Sequence, residues 1–169
     1  MWTARRILKE LADSDRRRSI LASFWKHAET HSRLAAQLQL AKAMNFREES
    51  IRKMPPEKKA EMLASRIGVA EFDQYLEMAL MAYHTTEKRQ MLAAFLDHWK
   101  IPHEDGTIEA EEYATPTPEQ VQEAVDTLGA QFDRHDIVLY LATAGLLMGG
   151  DWREATTLAV DRLAGELSS

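Results

Sequence analysis

From Ile137 to Met148 the chain runs through twelve residues without a charged side chain. A helix without a polar face has no side to turn to water, so it has to be surrounded by other elements. The run is well short of the roughly 20 residues that a helix needs to span a membrane. It therefore predicts a central core helix over about 136–149, with the other helices packed round it. Ala142, Ala144 and Gly145 in its middle are small enough to let neighbouring backbones come close. Asp136 opens the run, and Gly149-Gly150 is placed to end it.

The rest of the chain supplies helices to do the surrounding. Ile7, Leu8, Leu11 and Ala12 recur at helical spacing among charges near the start. A second helix, capped at Ser14 or Asp15, is predicted to reach about Met44. Its inward stripe is Ile20, Phe24, Ala28, Leu34, Leu38 and Ala41. A span of that length is long for a globular helix and is expected either to break or to reach into a partner. Pro55-Pro56-Glu57 opens another helix, because proline suits the first turn and the acid suits its dipole. Further helical stretches are predicted over 69–83 and from Thr85 or Thr86 to Lys100. Thr117-Pro118-Glu119-Gln120 reads as a capping box, and Asp151 with Glu154 reads as a second. Alternating β-branched stretches between turns are nearly absent. The expectation is one all-α domain over residues 1–169, six to eight helices around the central one, with a long acidic loop at 101–116. A chain of 169 residues can bury close to ~70% of its unfolded surface, enough for a core without staples.

That absence of staples is literal, since the chain has no cysteine. Disulfides, thiolate metal sites, cysteine nucleophiles and iron–sulfur clusters are excluded. No apolar run follows the charged start, as a secretory signal would require. Together these predict a cytoplasmic protein without a membrane span. The net charge of −6 hides a split. Residues 1–66 carry 15 Lys and Arg against 8 Asp and Glu, and the remainder carries 6 against 19. No Lys or Arg occurs from Ile101 to Asp133. Arg16-Arg17-Arg18 is the one dense basic run, too short to predict nucleic-acid binding. On a protein with opposed charges it is instead a candidate contact for a protein partner.

Two constellations bear on chemistry. His27 and His31, four apart, would share one face of an unbroken helix and can meet on a metal ion. Ala28 follows His27, where HExxH sites place their general base, so a protease arrangement is not expected. The second lies in the acidic loop. Asp105-Gly106-Thr107-Ile108-Glu109, with Glu112 beyond, resembles the second half of an EF-hand calcium loop. Gly106 stands at the turn position, Ile108 at the core-facing hydrophobe and Glu112 at the bidentate acid. The chain departs from the pattern where Ile101 takes the first ligand place and His103 the third. The resemblance implies a calcium-binding turn; the departures predict a degenerate, EF-hand-like scaffold, with His103, Asp105 and Glu112 as its remaining candidate ligands.

No nucleophile elbow and no glycine-rich phosphate loop occurs, so no cofactor is expected. The sequence favours a non-catalytic helical interaction or regulatory module, self-associating as a homo-oligomer or binding a protein partner, with Arg16, Arg17 and Arg18 as interaction residues. A metal-dependent enzyme built on His27 and His31 is the alternative, and the EF-hand-like scaffold over 101–112 is a second.

Overall fold

The hydroxyl of Thr3 accepts the Arg6 N–H and starts the first helical turn, α1 (Ala4–Arg6), in the computed structural model, which describes residues 1–169. The turn widens into a π-helical turn over Ile7–Leu11, burying Ile7, Leu8 and Leu11. Asp13, one residue before the expected caps, accepts the Arg16 N–H and opens α2 (Ser14–His27). Ala28 and Glu29 are extended, and α3 (Thr30–Met44) begins after them. The long helix expected here is thus two. Neither glycine nor proline stands at the break, so it carries no local signal.

Asn45, in the left-handed region at φ 55°, closes α3. Then come α4 (Glu48–Arg52) and α5 (Pro56–Ala64), the latter with proline in its first turn. A 3₁₀ turn at Ala70–Phe72 leads into α6 (Asp73–Thr86) and α7 (Arg89–His98). Thr85 and Thr86 do not cap α7. Their hydroxyls donate back to Met81 O and Ala82 O within α6. In the acidic loop, β1 (His103–Glu104) and β2 (Thr107–Ile108) form a minimal antiparallel hairpin. Then follow α8 (Pro118–Leu128), α9 (Arg134–Met148) and α10 (Gly150–Leu167). The capping box at Thr117 and Gln120 forms as the sequence indicates. The one expected at Asp151 and Glu154 does not, because α10 starts at Gly150 without a side-chain cap.

The architecture is all-α, with eight helices of nine residues or more and the two-residue strands as its only sheet. α2 lies against α5 and α6; α10 lies against α8 and α9. The two groups meet where α6 and the π-helical turn touch α9. One contiguous core of 39 buried residues runs through both, with a satellite of Leu96, Ile101 and Trp152 under the hairpin. Ile137 to Thr143 of α9 are all buried, as a helix without a polar face requires. The enclosure ends before the run does: Leu147 and Met148 are exposed. No helix is long and apolar enough to cross a membrane.

Candidate functional site

The densest set of charged side chains gathers where α2, α6, α7 and α9 meet. Asp136, in the first turn of α9, uses both carboxylate oxygens. Oδ1 accepts from Arg16 Nε at 2.9 Å and Oδ2 from Lys88 Nζ at 2.9 Å. The same Arg16 donates to Asp13 at 2.6 Å and to Asp133 at 2.8 Å. Lys88 also sits 5.8 Å from the centre of the Tyr83 ring. Asp13, Arg16, Tyr83, Lys88 and Asp136, with Asp15, Ser19 and Glu87, line an open cleft of about 370 Å³. Behind it lies His84, 3% exposed, between the rings of Tyr83 and Tyr140.

The electrostatics of this cluster oppose acid–base catalysis, which works best with groups that titrate near the operating pH. Burial alone would push the Asp136 carboxyl up, but Arg16 and Lys88 outweigh it and hold it below its ordinary value. Burial likewise opposes the charge on Lys88, and Asp136 overrides it, so the ammonium is held more firmly than usual. For Arg16 burial is again overridden, by Asp136 and Asp13. Burial pushes His84 down to about 4. Burial also raises the phenols of Tyr83 and Tyr140. Every shift leads away from neutrality. The cluster is a clamp of permanently charged groups that ties the start of α9 to α2 and to the α6–α7 junction.

Sequence reasoning missed this clamp because its partners are far apart along the chain: 120 residues separate Arg16 from Asp136. The one available signal was Asp136 itself, a charge at the mouth of an uncharged run. Of the three arginines expected to face a partner, Arg16 is spent in the clamp. Arg17 donates to the carbonyls of Leu8 and Ala12, closing the π-helical turn. Arg18 alone is exposed without a partner inside the chain.

The histidine pair is not brought together on a helix face. His27 ends α2, His31 lies in the first turn of α3, and the extended Ala28-Glu29 stands between them. His31 faces solvent and approaches only Glu29, at 3.2 Å. In the hairpin, Asp105 and Gly106 both have positive φ, 50° and 89°, the geometry of a two-residue type I′ turn. Asp105 pairs with Arg89 at 2.7 Å. His103 Nδ1 accepts the Gly106 N–H at 3.0 Å, so its proton is on Nε2, which donates to Asp97 at 2.7 Å. Ile101 is buried, and Glu112 is exposed at the far end of the loop. The side chains that a calcium loop would converge thus point to separate partners, and no three His, Asp or Glu side chains gather as a ligand set.

Two surfaces carry large apolar side chains exposed to water. Because the break at Ala28-Glu29 resets the helical phase, α3 buries Ser32, Ala36 and Leu40, not the expected Leu34 and Leu38. Those leucines face water at 43% and 59% exposure. On the other side of the sequence, a shallow groove of about 600 Å³ runs between α8 and α10, with Leu158 on its wall at 61% exposure. Compared with known protein families, curated proteins and solved structures, the chain finds no match.

Proposed function

We propose that this chain is a non-catalytic helical interaction module that associates with copies of itself. One observation carries the reading. α3 has apolar side chains on two sides: Ala36 and Leu40 inside, Leu34 and Leu38 outside. Large exposed leucines one turn apart on an otherwise packed helix are a contact surface in search of a cover. The charged cluster supports the same reading from the other side, because its groups are committed to holding helices together. A metal-dependent activity on His27 and His31 would have to draw its ligands from two separate helices, since the pair shares no helix face.

The reading is tested by sedimentation of the wild type and of Leu34→Glu/Leu38→Glu. Both side chains are exposed, so the variant should fold with an unchanged circular-dichroism spectrum. The wild type is expected to associate and the variant to sediment as a monomer. A wild type that stays monomeric up to millimolar concentration would sink the proposal.

A further inference from the structure

The outer stripe of α3 is His31, Leu34, Ala35, Leu38 and Lys42, spaced three and four residues apart along one side. α3 has no acidic residue along its length, and the exposed Arg47 follows it. The stripe is therefore apolar along its middle, with the cation Lys42 towards its C-terminal end and His31 beside Glu29 at the other. The groove between α8 and α10 is its complement. Glu119, Glu123 and Asp126 line it from α8, and exposed Leu158 lines it from α10. The cation beside them, Arg162, reaches only Asp126, at 3.3 Å. α8 has no basic residue.

We infer that the α3 stripe of one copy docks into the α8–α10 groove of a second copy, head to tail. This rests on the self-association reading above and names both sides of the contact. Charge decides between the pairings available. An antiparallel pair of stripes would set Lys42 against the His31 end of its partner and leave the groove's carboxylates without a cation, and two grooves would oppose three carboxylates to three. Like charges set against each other across an interface select against that partner. The mixed pairing places Leu34 and Leu38 against Leu158 and Lys42 among Glu119, Glu123 and Asp126. Such a contact joins two different patches, so each copy keeps a free stripe at one end and a free groove at the other. Assembly then continues into chains or closes into a ring; it does not stop at a two-fold dimer.

The test is complementation between two variants. The stripe variant is Leu34→Glu/Leu38→Glu, and the groove variant is Glu123→Lys/Leu158→Lys. All four side chains are exposed, so both variants should keep the wild-type circular-dichroism melt. In sedimentation velocity the wild type is expected to grow in mass with concentration past the dimer. Each variant alone is expected to be monomeric, with association weakened by about tenfold or more. Mixed in equal amounts, they should form a 1:1 dimer and nothing larger, because one intact groove meets one intact stripe. The milder Leu38→Ser and Leu158→Ser variants, run in parallel, should repeat the pattern with smaller amplitude. A mixture that associates no better than its components overturns head-to-tail docking. A groove variant that assembles like the wild type overturns the groove and leaves self-association standing. A wild type monomeric throughout removes the self-association reading, and this inference with it.

Discussion

The two ring nitrogens of His84 stand in different conditions. Nδ1 lies 2.9 Å from Leu80 O and donates to it, while Nε2 is buried without a partner. Packed between Tyr83 and Tyr140, the ring is kept neutral chiefly by burial, against weaker help to its charged form from Leu80 O and Asp136. Its pKa falls from the ordinary 6.5 to about 4 in the folded chain. Between those values the unfolded state binds a proton that the folded state refuses, so stability rises with pH across the window. It is complete above 6.5 and is lost as pH falls towards about 4, by an amount on the order of 3 kcal/mol. The lowered carboxylates of Asp13 and Asp136 act lower down. They stabilise the fold above the unfolded value of 3.8 and lose that effect only below it, as pH falls through their lowered folded values. Urea melts from pH 7 to 4.5 should therefore show a slope that His84→Phe flattens. An equal slope in wild type and variant would mean that the ring is hydrated, not sealed.

At the scale of elements, α9 and α10 approach closely at Gly145. A Cβ built on Gly145 would lie 2.5 Å from Thr156 Oγ1, and that hydroxyl is itself held by Trp152 O at 2.9 Å. Gly145→Ala should then cost about 1–3 kcal/mol, the usual range for overpacking a tight contact. Thr156→Ala in the same chain should recover most of it. Additive losses in the double variant would show that the helices part at this point without strain. The closeness was legible in the sequence, since Ala142, Ala144 and Gly145 stand in a helix that has no polar face. So was the start of α8, where cap, proline and glutamine all act within four residues. What was not legible depends on contacts between distant parts of the chain. The break between α2 and α3 has no glycine or proline, yet it turns Leu34 and Leu38 from expected core to surface. The pair of histidines fell to the same break. The hairpin's turn was readable at Asp105-Gly106, but not that His103 and Asp105 would each be engaged, by Asp97 and by Arg89.

For the whole molecule, the division between a basic first part and an acidic remainder is partly absorbed inside the fold. Arg5 pairs with Asp73, and Arg16 with Asp133 and Asp136. This changes what the arginine triplet can be asked to do. Arg16→Glu would set a fourth carboxylate among Asp13, Asp133 and Asp136. It should cost about 2–4 kcal/mol, because breaking a partly buried pair leaves uncompensated charge. Arg17→Glu should cost about 1 kcal/mol through its lost bonds to Leu8 O and Ala12 O. Arg18→Glu should change stability by less than about 0.5 kcal/mol, as an exposed side chain without partners does. Reversing all three would therefore report on folding before it reported on association. Charge outside the clamp is the part that can steer association: Lys42 on α3 and Arg47 after it, Glu119 and Glu123 on α8. Exposed charges are screened over about 10 Å at 0.1 M salt, so their attraction fades as salt rises. Association measured by light scattering should weaken between about 0.05 and 0.5 M salt and leave a residue from the leucines that salt does not remove. Arg18→Glu should leave that curve where it is, and Lys42→Glu should flatten it. If Arg18→Glu flattens the curve and Lys42→Glu does not, the basic contact lies on α2 and not on α3.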